Sequence, residues 1–583
     1  MFFNVELFAG QNNTMYLQKG AQKIKYSITE IDSVKSITNE IWAFDSIRIF
    51  RNNTGNETHN VNDITSITFS ELDTSNVTKK IFYVATDGKD IAGGGTITAP
   101  WATVNYAVRN VPKDALCTII VRDGIYDGFT LQGSTYHFEY PCLIQSENPY
   151  KAKFKGRSRV FSIYNASNIT FSGFDIYGEG MDIDPVAGNE YVIHISNNST
   201  YNITFEDCII HDSYNNDMIK INVHPENIIF SNCIFYNQCP RGGDQFFDII
   251  GAFNVMIEKC IFFNHYESSE RGGTFPSNNN IPSNEFLTRS QGFILVKNMS
   301  ERNRGADITI RKNIFFNWTG KPDACFIILG EGVGDETSFV HYQAENIHIE
   351  NNLFLYNPYD DTYIGRRGML LAQSVRNLKV RANTVLGTRP GGLYSTRGFM
   401  VYTHRSAIAK GELPSTGWEF TNNIFCDNQA WTGDNRPILS FVSSSNPPFE
   451  DDGTGKSVPG SYSLLNNLYW AGGVTGTWIV DPSTGGDRTK LIVSEDNQRI
   501  ETNPQLPADF DNLVLPVLAS QGDTFISGNS TIREEFVRLA LKYAVPQPGG
   551  AGIGNGDAGY MPEDDILDNP RGKTPSVGCY EMP

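Results

Sequence analysis

The stretch Asn202-Ile203-Thr204-Phe205-Glu206-Asp207-Cys208-Ile209-Ile210 returns as Asn227-Ile228-Ile229-Phe230-Ser231-Asn232-Cys233-Ile234-Phe235 and as Asn254-Val255-Met256-Ile257-Glu258-Lys259-Cys260-Ile261-Phe262. Weaker copies begin at Asp307, Asn346 and Asn377, and degraded ones at Glu419 and Leu464. Within each copy apolar and polar residues alternate, the two-residue period of a strand with one buried face, which excludes helix. Alignment of the copies stacks Cys208, Cys233, Cys260, Asn313, Asn352, Asn383, Asn423 and Asn467 in one column. Beside it run an Ile/Leu column broken only by Thr384, and then Phe235, Phe262, Phe315, Phe354, Phe425 and Tyr469. A repeat at this scale predicts a solenoid. Stacked like residues predict that each strand lies about 4.8 Å above its equivalent. An inward asparagine at each turn can bond the open backbone groups of the neighbouring coil. The copies are spaced by about 25 to 53 residues, so loops of very different length leave the coils and shape any binding face.

The rest of the chain is consistent with an all-β solenoid of roughly a dozen coils. Its 583 residues supply a long core, and 19% of them are charged. A net charge of −18 with no concentrated basic patch argues against nucleic acid or an anionic membrane as partner. Nine cysteines without a Cys-x-x-Cys pair argue against structural zinc, and the three in the column read as small interior residues. No apolar run is long enough to span a bilayer, and the start at Met1 carries no basic segment followed by a long apolar one. The expectation is a protein whose signal has been removed, or one released by lysis as virion proteins are.

Three regions are expected: a small β-rich attachment module over 1–78, the solenoid over 79–500 with its cap and lateral loops, and a closing segment over 501–583. In the first, Met15–Val34 is similar to Ile47–Phe69, two strands followed by an acidic residue and Ile-x-Ser-Val or Ile-x-Ser-Ile. This pattern resembles short N-terminal modules of surface proteins from Bacteroidetes-type bacteria. The resemblance implies attachment to a virion, an anchored partner or a sister subunit.

Phe82–Asp90, Ala99–Val108 and Ile119–Tyr126 resemble the entry of right-handed parallel β-helix proteins of the pectate-lyase superfamily. There a strand, a Gly-rich loop and a short helix cap the first coil. Thr103 followed by Val104, Ala107, Val108 and Val111 supplies the helix signal, and a cap covers an edge that would otherwise template aggregation. Asp565–Glu581 is similar to the closing segment of the same superfamily. The resemblance therefore spans roughly residues 82 to 581 and implies a right-handed parallel β-helix.

For chemistry, the period-two pattern puts Ile219 and Ile221, like Phe247 and Ile249, inward, which turns Lys220 and Asp248 outward. His194 falls in the same column. Asp217 and Asp244 lead into these strands, so an acid, a base and an imidazole are expected on one wall. Asp244–His265 also resembles a stretch of pectate lyases of polysaccharide lyase family one. The resemblance implies Ca²⁺ held by Asp244 and Asp248, a hard cation that would neutralise a uronate carboxylate and acidify its α-proton. Departures accompany the match: Glu267 replaces a lysine two residues after His265, Ser231-Asn232 replaces an Asp-His pair, and only Lys321 lies near the place of the family's arginine.

Lys297, with Arg302 and Arg304 beyond it, is a further candidate base or anion clamp, and Trp318, Tyr356, Tyr394 and Trp431 are candidate sugar platforms. Turn chemistry, surface solvation and interior packing account for the same residues equally well. The readings left open are a depolymerase acting as lyase or glycosidase, a receptor-binding fibre that grips glycan without cleaving it, and a structural spacer. For the first two the expected partner is a cell-surface polysaccharide. The expected setting is a virion tail or surface appendage, with a secreted or bacterial-surface protein as the alternative. By analogy with tailspikes, a homotrimer is expected.

Overall fold

The computed structural model describes residues 77–179, 190–213, 216–238, 245–263, 292–299, 304–316, 325–330, 341–355, 368–386, 413–427, 462–473, 498–507, 513–519 and 524–582. It also describes the backbone of strands between 12 and 71 and at 401–403, 439–441 and 479–480. The chain divides into two packed units, one of residues 1–80 with 112–117 and 139–141, the other of the remainder.

In the first unit, Asn12–Lys19 pairs antiparallel with both Gln22–Ser27 and Ser66–Glu71, and Ser46–Arg51 pairs antiparallel with both Ile31–Ile37 and Glu57–Asn60. Each half of the internal repeat thus makes a two-stranded ribbon and gives its third strand to the first strand of the other half.

The second unit is a solenoid of three long parallel sheets, two of eleven strands and one of twelve. Each coil visits them in a fixed order. Tyr201–Glu206 in the first sheet is followed by Ile209–His211 in the second and Ile219–Asn222 in the third, and the next coil repeats this with Glu226–Ser231, Ile234–Tyr236 and Gln245–Ile250. The register joins like to like, Ile203 to Ile228 to Val255 and Phe235 to Phe262 to Phe315. Interior rings stack along the axis, with centroids 4.9 Å apart for Phe235 and Phe262 and 4.7 Å for Phe262 and Phe315. Offset stacking adds to the area each ring buries.

The corner between the first and second sheets is two residues long, and it explains the asparagine column. The first corner residue is left-handed, as at Asp207, Asn232, Lys259 and Lys312. The second points inward. Asn352 Oδ1 accepts the backbone N–H of Asn313 at 2.9 Å, and its Nδ2 donates to the Ile310 carbonyl at 2.9 Å. The same pair of bonds recurs at Asn383 and Asn423. A second column lies at the start of the first-sheet strands, where Asn202, Asn227, Asn254, Asn346 and Asn377 are left-handed, a conformation asparagine tolerates. There each amide donates to the side-chain oxygen of the coil before it, as in Asn227 to Asn202 at 2.9 Å. Gly417 takes this position in a later coil at φ 69°, where a Cβ would stand 2.7 Å from Asn377 Oδ1.

Most second-sheet strands from Ile234–Tyr236 onward are apolar on both faces, as strands covered on both sides are. The sheet's inner face lines the core. Its outer residues, Ile209, Ile234, Ile261, Ile314, Leu353, Ile424 and Leu468, pack under the C-terminal segment, which contributes Phe525, Ile532, Phe536, Leu539 and Tyr543. Helix α1 (Val104–Asn110) is capped by Thr103, which accepts from Tyr106 N–H, and buries Val104, Ala107 and Val108. Helix α2 (Ile532–Tyr543), in the C-terminal segment, begins with a capping box of Thr531 and Glu534. The segment is also fixed by charge: the buried Lys312 ammonium lies 2.6 Å from Asp564 and 2.7 Å from Asp568. Arg571 bonds Glu581 at 3.1 Å and Asn351 at 2.8 Å. Among the described residues eight cysteines are unbridged and all are buried, and no helix is long and apolar enough to cross a membrane.

Candidate functional site

The outer face of the third sheet carries the site. Phe161, Ile163, Ile193, Ile195, Ile219, Ile221, Phe247 and Ile249 fill the core. Alternation therefore turns Ser162, His194, Lys220 and Asp248 outward in one column, in direct register with one another. A second outward column holds Tyr164, Ser196, Asn222, Ile250 and Lys297. Neighbouring strands are about 4.8 Å apart, so side chains in one column reach diagonally to the other in the next coil.

Two networks result. In the first, Arg159 donates to the Tyr164 hydroxyl, Tyr164 Oη lies 2.6 Å from His194 Nδ1, and His194 Nε2 lies 3.0 Å from Asn222 Oδ1. An amide oxygen can only accept, so Nε2 carries the imidazole proton and Nδ1 accepts from the phenol. Burial holds His194 down at about 4, against a helping bond from Asn222, so the ring is neutral at pH 7. Arg159 is held in turn by Glu190, at 2.7 and 2.6 Å. Tyr164 itself is only half-buried.

The second network is ionic. Lys220 donates to Asp248 and lies 3.3 Å from Asp217, whose other oxygen accepts the Gln245 backbone N–H at 2.9 Å. Lys297 Nζ is 3.9 Å from the second Asp248 oxygen. The Lys220 ammonium also stands 5.8 Å from the centre of the Tyr191 ring. Burial opposes its charge, but Asp248 and Asp217 outweigh that and raise its pKa above the ordinary lysine value.

These contacts change several expected roles. Lys220 is not a base at neutral pH, because two carboxylates hold it charged. It anchors the wall instead. Asp217 and Asp248 are both nearly enclosed and both spent on Lys220, an arrangement unsuited to a glycosidase acid and base that must reach a glycosidic oxygen. A calcium ion does not fit Asp248 as it stands: one oxygen accepts from Lys220 and the other faces Lys297, whereas Ca²⁺ takes about six to eight oxygens. Among the described residues no group of three or more His, Cys, Asp or Glu is placed to hold a metal. Arg304 is engaged elsewhere, on Glu345 at 2.8 and 3.0 Å. Asp244, His265, Arg302, Trp318 and Lys321, like Tyr356, Tyr394 and Trp431, lie outside the described residues.

Tyr164, Arg159 and Asn222 were not expected from the sequence. The signal was present for two of them. The outward column through Ser196, two residues after His194, holds Tyr164 in the coil before and Asn222 in the coil after. A phenol with a neutral imidazole behind it and a guanidinium beside it is a constellation for moving one proton at a half-buried surface.

No protein family and no curated protein matches the chain. Solved structures of similar chain course include pectate lyase Pel9A, at 11% identity over 88% of this chain and 98% of that one, with a TM-score of 0.39. A rhamnogalacturonan lyase matches at 14% identity over 79% and 98%, TM-score 0.37. A mannuronic acid specific polysaccharide family 6 lyase from human gut microbiota matches at 11% over 73% and 91%, TM-score 0.37. The coil order, the three parallel sheets and their register make this chain a right-handed parallel β-helix.

Proposed function

We propose that the chain binds and depolymerises a uronate-containing extracellular polysaccharide on the outer face of its third sheet, by β-elimination. The observation that carries this reading is the string Arg159, Tyr164, His194, Asn222. In the step proposed, the uronate C5 proton passes to the Tyr164 oxygen while the phenol's own proton passes to His194 Nδ1. The electrons of the C5–H bond form the C4=C5 double bond, the C4–O glycosidic bond breaks, and the departing oxygen takes a proton from water, the hydroxide so formed being neutralised as His194 returns its extra proton to solvent. Arg159 supplies positive charge beside the reacting centre. Lys220, Asp217, Asp248 and Lys297 form a rigid charged wall against which the sugar is positioned.

The test is incubation with a panel of uronate and capsular polysaccharides, following new reducing ends and the ultraviolet absorbance of unsaturated uronate. Both signals rising together is the expected result. Reducing ends without absorbance would replace elimination by hydrolysis, and neither signal would leave a non-catalytic glycan-binding fibre. For the setting we infer a virion tail or surface appendage, anchored through the N-terminal module, the support being the separate antiparallel unit that precedes the solenoid. Mass spectrometry of purified virions tests this, with recovery only from bacterial surfaces or medium as the contrary result. The homotrimer is tested by light scattering of the full chain.

A further inference from the structure

A cavity of about 740 Å³ opens at the N-terminal end of the solenoid, between the cap and the first coils. Its lining includes Thr103, Tyr106 and Arg109 from around α1, Ile125 and Thr130 from the first coil, and Arg159 from the next. The volume is that of small-molecule sites, about 300 to 1,000 Å³. Two residues tie it to the wall described above. Thr130 is the first member of the outward column, in register with Ser162 and through it with His194, Lys220 and Asp248. Arg159 lines the cavity and also donates to Tyr164. Cavity and wall therefore share one face. From Thr130 to Asp248 the column climbs four strand spacings, about 19 Å, the scale of an oligosaccharide and not of one sugar.

The lining has the mixed character that sugars need. Ile125, 55% exposed, offers an apolar surface for ring C–H groups. Tyr106 adds an aromatic edge, its ring held 5.8 Å from Trp101. Thr130 is exposed and brings a hydroxyl, and Arg109, also exposed, brings a cation from the last turn of α1. Asp90, which also lines the cavity, is occupied in bonding Ala102, Thr103 N–H and the Thr103 hydroxyl at 2.7 to 3.1 Å, so it organises the cap. Asp127 also lines the cavity.

We infer that this cavity is a distal subsite that takes the remote end of the bound acidic glycan, reading a uronate carboxylate with Arg109, and that the glycan runs along the coil axis from Lys220 toward the cap. The inference rests on the functional reading above and adds a direction and a length to it. The test is calorimetric titration of the full chain with size-graded oligouronates. In the unaltered protein, Kd falls as oligomers lengthen until they span wall and cavity. Arg109→Ala and, separately, Thr130→Trp, both at exposed positions, remove that gain, so that long oligomers bind at least tenfold more weakly than to the unaltered protein, while the shortest binders change less than twofold. Loss at all lengths alike, or no loss in either variant, overturns the distal subsite while the functional reading stands. Failure of every oligomer to bind the unaltered protein overturns both.

Discussion

At Asn313 the interior corner column changes from thiol to amide, and the hydrogen bonds show what each residue contributes. Cys233 Sγ lies 3.5 Å from the Phe205 carbonyl and Cys260 Sγ 3.6 Å from that of Phe230. Those carbonyls stand in the same register position as Ile257, which receives the Asn313 amide at 2.9 Å. Cysteine makes the asparagine's donor bond weakly and supplies only sulfur to the backbone N–H. Asn352→Ala therefore strands a buried N–H and a buried carbonyl, each costing about 1 to 3 kcal/mol, whereas Cys233→Ala removes a small apolar group and a weak donor for about 1 kcal/mol. Equilibrium denaturation should show the asparagine variant to be clearly the less stable; equal losses would contradict the ladder. On the wall, Lys220→Ala removes the ammonium that the enclosed Asp217 and Asp248 share, with Lys297 remaining 3.9 Å from Asp248, and breaking such an enclosed pair costs about 3 to 5 kcal/mol. A Lys220→Ala protein of unchanged stability would mean that the ionic network is not formed.

Among elements, the second sheet and the C-terminal segment depend on one another, since neither buries its apolar face alone. Lys312 is the charged fastening between them. Burial raises the pKa of Asp568, but hydrogen bonds and charge from Lys312 and Lys259 outweigh it and leave the carboxyl below the ordinary aspartate value. A carboxyl lowered on folding stabilises at pH above its unfolded value, near 4, and that contribution is lost as pH falls through the folded one. The segment should thus loosen in acid, and Lys312→Met should make residues 498–582 cleave faster in limited proteolysis at neutral pH while the coils stay protected. Uniform protection of both would show the fastening to be dispensable. This element-level pairing is where sequence reading stopped. The Ile/Leu column could be seen in the repeats, but nothing in the strand period says that its residues face outward under a distant segment. Similarly, the register of His194, Lys220 and Asp248 was legible because period two and coil repeat together fix it. The bonds from Tyr164 to His194 to Asn222 run diagonally between columns, and the charge state of Lys220 depends on Asp217 from the turn before its strand, so neither follows from aligning coils.

For the whole molecule, two buried histidines set opposite limits on pH. His194 is lowered to about 4 by burial. The unfolded chain binds its proton first on acidification, so stability falls between about pH 6.5 and 4. His211 is the reverse: burial opposes its charge, but Asp212 and Asp175 outweigh that and raise it to about 9. Its nitrogens lie 2.8 Å from Asp175 and 2.9 Å from Asp212, and its ring stacks on Tyr236 at 4.5 Å. That stabilisation is complete below about pH 6.5 and is lost as pH rises through about 9. Melting temperature should therefore peak near pH 6.5, His194→Gln flattening the acid side and His211→Gln the alkaline side. A curve unaltered by either substitution would contradict the assignments. Because two lysines occupy Asp248, chelation of divalent cations should leave turnover within about twofold. The central claim is that proton transfer on the third sheet belongs to Tyr164, and one comparison tests it most directly: the rate of unsaturated-uronate formation by the unaltered protein and by Tyr164→Phe, both checked for equal oligouronate Kd. Loss of about 10² to 10⁴ in rate with binding intact is the predicted result, and a Tyr164→Phe protein that eliminates at the unaltered rate would contradict it.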